Sequence, residues 1–304
     1  MFTALLCLVS LLCAGSAASA QDVSAPWFTP GDAAFSTPLS DSVVFGRLRS
    51  PQLDRAMDYY VYLPPGFGVD DWRRYPVVYM HDGGELFRAG RMGAVWPEDD
   101  RSVLPPSWDL ETVLDGYFAD HPNDAAIIVA VDTTQRVEHF SPWPWTPAND
   151  AHGRAYIDFI IHTLKPNMDA HFPTVAGRHA TAMLGSSLGG IITAYALVKY
   201  PEVIASAAAL SPVLTDNVLG EELNRYAALR GPLEPVRLYM DMGVGESPRM
   251  HAALQRFSET LVDRGFDVDA VRVALIEDGT HRPESWRQRL PDALAFLLQD
   301  ADQP

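Results

Sequence analysis

The chain has 304 residues, 47% of them hydrophobic, which is enough to bury a sizeable core, and it carries a formal net charge of −16. A surface so acidic repels phosphate backbones and anionic lipid, which argues against nucleic acid and membranes as partners. Both cysteines, Cys7 and Cys13, fall in the N-terminal apolar run. The rest of the chain can therefore form no disulfide and offers no thiolate nucleophile or metal ligand.

That run, MFTALLCLVSLLCAGSAASAQ, closes in Ala18-Ser19-Ala20, the A-x-A pattern at which signal peptides are cleaved. The expectation is a signal peptide over 1–20, export to the periplasm or medium, and a single α/β domain over 21–304. A lipid anchor on Cys13 is disfavoured because bulky Leu12 precedes it. The stretch from Gln21 to about Ser42, with its prolines and serines, reads as loosely packed.

Strand-like runs follow at 58–64 (DYYVYLP), 75–82 (YPVVYMHD), 125–132 (AAIIVAVD), 179–185 (HATAMLG), 236–243 (VRLYMDMG) and 271–279 (VRVALIEDG). Several are continuously apolar, as buried parallel strands are. Between them, RAYIDFIIHTLKPNMDAHF sets Tyr156, Phe159, Ile160 and Leu164 at helical spacing, and HAALQRFSETLVDRG does so with Leu254, Phe257 and Leu261. This alternation predicts an α/β fold: an open, mostly parallel sheet with helices on both faces, binding its ligand at the carboxyl ends of the strands. Residues 83–110 and 133–152, the latter including FSPWPWTP, read as long loops over that end.

MLGSSLGG, residues 183–190, stands between an apolar strand and the helical GGIITAYALVKY. A nucleophile elbow needs small residues two positions before and after its serine. Gly185 and Gly189 flank Ser187 in that way, whereas Leu184 and Leu188 flank Ser186. Ser187 is therefore the candidate nucleophile and Ser186 a spacer. A serine hydroxyl needs a general base oriented by a carboxylate, and in this fold the acid and then the histidine follow the serine. His251 and His281 are the histidines after Ser187. His281 lies in a strand-end loop and is the expected base, while His251 reads as part of a solvated helix face. For the acid, Glu246 in the loop beyond LYMDMG is better placed than Asp241 inside the strand, which remains the alternative. The backbone N–H of Leu188 and that of Gly84, in YMHDGGEL, are the expected oxyanion donors. His81, preceding the serine, reads as a support for that loop.

These segments, together with YYVYLPPGF, RVEHFSPW, LKPNMDAHF, LSP at 210–212 and HRPESW, resemble the esterase D-like family of the α/β-hydrolase superfamily, which takes in feruloyl, acetyl-xylan and siderophore esterases. The resemblance implies a serine esterase without metal or organic cofactor, with Ser187, Glu246 and His281 catalytic and Leu188 and Gly84 at the oxyanion. It also places Arg136 and Glu138 in a segment bordering the site. Two departures stand out. Arg282 and Pro283 intervene between His281 and Glu284, so the resemblance carries no substrate contact over to that glutamate, and no cysteine is available beside the site, which disfavours formylglutathione thioesters. An acyltransferase using the same triad, or a non-catalytic binding module, is the alternative. Trp143, Trp145 and Trp96 either line an aromatic slot for hydroxycinnamoyl groups or anchor their loops to the core. The acyl and alcohol groups and the oligomeric state are not legible in the sequence.

Overall fold

The four strands that carry the centre of the sheet, VVYMH, IIVAV, TAMLGS and SAAAL, are buried at every position. A strand covered on both faces has no solvent side to leave polar. A computed structural model describes residues 35–38, 40–70, 72–87, 108–144, 150–214, 218–230 and 235–299. The expected signal peptide, Trp96 and Trp145 lie outside the described residues.

The strands are β1 (Phe35–Pro38), β2 (Val43–Ser50), β3 (Arg55–Tyr62), β4 (Val77–His81), β5 (Ile127–Val131), β6 (Thr181–Ser186), β7 (Ser206–Leu210), β8 (Arg237–Gly243) and β9 (Val271–Ile276). They form one sheet in the order β1-β2-β3-β5-β4-β6-β7-β8-β9. Pairing is antiparallel from β1 through β3 to β5 and parallel from β5 to β9. Burial of each apolar side chain of β5, such as Ile128 or Val129, contributes about 2 kcal/mol relative to exposure.

The helices that bear on the site are α1 (Gly83–Leu86), α2 (Leu110–Asp120), α3 (Arg136–His139), α4 (Gly153–Phe159), α5 (Lys165–His171), α6 (Leu188–Lys199), α7 (Val218–Arg230), α8 (Pro248–Asp263) and α9 (Pro283–Leu298). From Leu188 to Val198 every residue of α6 is buried. A helix apolar all round has neighbours on every side. Helices α4 and α5 run on through a π turn at Ile160–Leu164. Pro166 opens α5 and has no N–H for the carbonyl four residues back, which is a physical reason for the ladder to widen there.

Each expected strand is present, with ends displaced by up to three residues, and both expected crossover helices are present as α4–α5 and α8. Three differences stand out. The segment read as loosely packed contains β1, which pairs with β2. The stretches read as long loops carry the single turns α1 and α3. The SAAAL strand escaped the sequence reading because alanine has little strand preference; burial between β6 and β8 decides its conformation.

Candidate active site

Strand β6 ends at Ser186, and α6 begins at Leu188. The single residue between them, Ser187, has φ 57° and ψ −119°, a backbone conformation that is costly for a residue with a Cβ. Its N–H donates to the Leu210 carbonyl at 2.9 Å, and its own carbonyl accepts from Gly190, Ile191 and Val213. These bonds hold the strained turn. Gly185 is needed for it, because a Cβ there would collide with the Gly189 carbonyl and with Cδ2 of His81 at 2.7 Å. Gly189 is not needed in the same sense, since the atoms nearest a Cβ on it lie at 3.6 Å, ordinary contact. The glycine frame is thus tight on one side only.

Ser187 Oγ donates to His281 Nε2 at 2.9 Å, and His281 Nδ1 donates to Glu246 Oε2 at 2.8 Å. Nε2 therefore presents its lone pair to the serine. The His281 ring stands edge-on to Trp286, with centroids 5.0 Å apart. Glu246 and His281 lie in the loops after β8 and β9, and these loops touch so closely that a Cβ on Gly243 would overlap the Gly279 carbonyl. The Glu246 side chain is only 4% exposed. Burial alone pushes its carboxyl upward. Hydrogen bonds from His281, from the Ser211 hydroxyl at 2.6 Å and from the Gly243 N–H at 2.9 Å outweigh that and bring it down to about 2.

The alternative acid, Asp241, is fully buried and meets Arg289 Nη1 at 2.6 Å. Burial raises its carboxyl to about 6 against the opposing pull of Arg289. Its other oxygen accepts from the Tyr239 hydroxyl. It is the partner of a buried cation, and the carboxylate on His281 is that of Glu246. His251 departs from the expected solvated face: its Nε2 donates to the Gly243 carbonyl at 2.8 Å, bracing the acid loop.

On the other side of the serine, Leu188 occupies the first position of α6, where a backbone N–H has no partner one turn back. Gly84, whose N–H is expected at the oxyanion, lies against the Asp132 carboxylate, whose oxygens would stand 3.0 Å from a Cβ placed on it. Asp132 lies one residue past β5, level with α1, and its own burial makes it a strong acceptor to satisfy. His81 supports the loop as expected, with Nδ1 at 2.9 Å from the Tyr156 hydroxyl and Nε2 at 3.1 Å from Thr193. Burial, reinforced by the nearby Arg136 charge, lowers it to about 3, so it is neutral.

Arg136 is committed within the protein. Nε and Nη2 donate to the two oxygens of Asp82 at 2.7 and 3.0 Å, and Nη2 also reaches the Ser186 carbonyl at 3.4 Å. Asp82, raised to about 6 by burial although Arg136 pulls it down, is the left-handed residue opening α1, at φ 64°. The pair therefore ties the β4 loop to the elbow. Glu138, beside it, keeps Oε2 buried without a hydrogen-bond partner among the described residues. Trp143 stands edge-on to Tyr195 of α6 and Tyr226 of α7, with Arg154 over its face. These contacts fit the anchoring role of the two considered.

Sequence reasoning missed Ser211, Arg289 and Trp286, which stand behind Glu246. Ser211 was detectable in principle, because it follows β7 at the carboxyl end of a strand next to the elbow. Among the described residues, no group of three His, Cys, Asp or Glu could hold a metal ion, and no helix is long and apolar enough to cross a membrane.

The family model described as "Putative esterase" matches residues 50–297. Over 253 residues the chain is 21% identical to the "Uncharacterized protein YbbA" of Bacillus subtilis (strain 168), covering 79% of this chain and 91% of that one. It is 26% identical over 244 residues to an endo-1,4-beta-xylanase/feruloyl esterase of Xylanibacter ruminicola, covering 79% of this chain but 29% of that larger protein. Among solved structures, a ferulic acid esterase superposes with a TM-score of 0.61 at 18% identity, covering 84% of this chain and 98% of that one. The enterobactin esterase of Shigella flexneri does so with a TM-score of 0.63 at 19% identity, covering 90% and 63%. The elbow, the mostly parallel sheet and the match over most of its length carry one conclusion: the chain belongs to this esterase family, whose members are carboxylic ester hydrolases with the α/β-hydrolase fold.

Proposed function

We propose that the protein hydrolyses carboxylic esters through an acyl-enzyme on Ser187, with His281 as general base and acid and Glu246 as its orienting carboxylate. The observation that carries this reading is the unbroken line from Glu246 Oε2 to His281 at 2.8 Å and on to Ser187 Oγ at 2.9 Å. As Oγ attacks the acyl carbon, its proton passes to Nε2. The imidazolium, stabilised by ionised Glu246, gives that proton to the leaving alkoxide. Water then repeats the sequence: its proton goes to Nε2, its oxygen bonds to the acyl carbon, and the returning proton restores the serine. The Leu188 N–H, at the positive end of α6, stabilises the oxyanion of both steps. One such donor is worth roughly a hundredfold to a thousandfold in kcat.

Feruloyl, acetyl and siderophore-type esters are the acyl classes to test, since relatives are named feruloyl, ferulic acid and enterobactin esterases. Export belongs to the same reading, supported by the apolar run that ends in Ala18-Ser19-Ala20. The test is turnover of p-nitrophenyl acetate followed by mass spectrometry of the quenched enzyme. An acetyl adduct on the peptide containing Ser187, absent from Ser187→Ala, is the expected result. Turnover with no adduct dependent on that serine would remove the mechanism. A candidate sugar acceptor in the same assay separates hydrolysis from acyl transfer.

A further inference from the structure

The carboxylate on His281 is backed by a second, buried layer. Ser211 Oγ accepts from Arg289 Nη2 at 3.0 Å and from Trp286 Nε1 at 3.1 Å, and it donates to Glu246 Oε1 at 2.6 Å. A hydroxyl has one proton and two lone pairs, and neither a guanidinium nor an indole can accept a hydrogen bond. With both lone pairs taken, the Ser211 proton has no direction left but Glu246. Arg289 is itself fixed: Nη1 donates to Asp241 at 2.6 Å, Nη2 also reaches the Thr280 carbonyl at 3.2 Å, and Nε donates to the Ser285 carbonyl. Its side chain is 4% exposed.

The backbone of Ser211 adds an independent observation. It sits at φ 43°, in the left-handed region, held there by its N–H on the Asp241 carbonyl at 2.9 Å and close to the Asp241 carboxylate at 3.2 Å. Glycine adopts that conformation without cost. A serine there bears the strain, and the hydroxyl is what a glycine would lack.

We propose that Ser211, its proton directed by Arg289 and Trp286, is a positioning residue that holds Glu246 in register with His281. This rests on the reading of Glu246 as the orienting acid. Asp241, the alternative acid, acts two bonds away by neutralising and aligning Arg289. The groups facing Glu246 are His281 from the loop after β9, Arg289 of α9 with Nη2 at 4.0 Å, Ser211 after β7, Asp241 of β8, and the Gly243 N–H, whose own carbonyl is held by His251 of α8. Without the hydroxyl, Glu246 loses one of the two donors on Oε1 and is held there by the Gly243 N–H alone. Its charge, no longer shared with that donor, holds the imidazolium more tightly.

The experiment is the pH dependence of kcat and kcat/KM on p-nitrophenyl acetate for the wild type, Ser211→Ala, Ser211→Gly and Ser187→Ala. Ser211→Ala is expected to lower kcat by about tenfold or more with KM within about twofold, and to move the acidic limb of kcat/KM to higher pH. Ser211→Gly relieves the backbone strain, so it is expected to keep a Tm at or above that of Ser211→Ala while losing the same activity. That split separates positioning from mere folding. Profiles of both Ser211 variants that coincide with wild type, while Ser187→Ala is inactive, overturn the proposal and leave the esterase mechanism standing. An acidic limb displaced to lower pH also overturns it, since Arg289 would then have taken the place of the hydroxyl on Glu246. Full activity in Ser187→Ala would instead remove the mechanism on which the proposal rests.

Discussion

Oγ of Ser187 and Nε2 of His281 lie 2.9 Å apart although 94 residues separate them in the chain. The neighbouring Ser186 has no such partner among the described residues; it closes β6 opposite Leu210, and its carbonyl faces Arg136. Ser187→Ala is expected to lower kcat at least about a thousandfold at nearly unchanged Tm, because it deletes one hydroxyl and no packing. Ser186→Ala should retain most activity. Steady-state kinetics of both variants check this, and the reverse order would place the nucleophile at Ser186.

Glu246→Gln and Asp241→Asn are expected to fail in different ways. The first keeps the shape but no longer holds His281 in its productive tautomer, and should cost roughly a thousandfold or more in kcat. The second leaves Arg289 buried without its counter-charge and should cost about 3–5 kcal/mol of stability with a smaller loss of kcat. Denaturant melts and kinetics, run side by side, decide between them.

The Glu246 carboxyl sits at about 2, below the ordinary 4.5 of a glutamate. A folded-state value depressed in this way adds stability that is complete above pH 4.5 and is lost as the pH falls from 4.5 toward 2. Glutamine does not titrate. The Tm gap between wild type and Glu246→Gln is therefore expected to narrow through that window, as read by calorimetry at a series of pH values. A gap that stayed constant would mean that the carboxylate is not held ionised.

Arg136→Met removes the cation that Asp82 needs and the donor on the Ser186 carbonyl. It should cost about 3 kcal/mol in stability. KM for small acetyl esters should stay within about twofold, because the guanidinium is committed to Asp82 rather than to substrate. A KM raised tenfold or more at unchanged Tm would make Arg136 a substrate contact.

Trp143→Ala takes a half-buried ring from between Tyr195 and Tyr226. The expected cost is about 2 kcal/mol, with activity on aryl and acetyl esters falling together. A loss confined to aryl esters would restore the aromatic-slot reading for this residue.

Local pattern was enough to single out Ser187, His281 and Glu246, which the fold brings into one hydrogen-bonded line, because each stands at the carboxyl end of a strand whose apolar run is visible in the sequence. Preference between neighbours was legible as well: Leu184 and Leu188 cannot flank a tight turn, so Ser186 was set aside. Tertiary structure decided where a residue's partner comes from a distant element. Arg136 turns to Asp82, 54 residues back, because a buried carboxylate must be satisfied by whatever donor the fold brings near it. His251 looked solvated because helical spacing says nothing about a carbonyl approaching from another loop. Ser211 is the extreme case. Its role depends on Arg289, 78 residues away, and Trp286, 75 residues away, reaching one oxygen together, and no spacing rule encodes the convergence of three elements on a single atom.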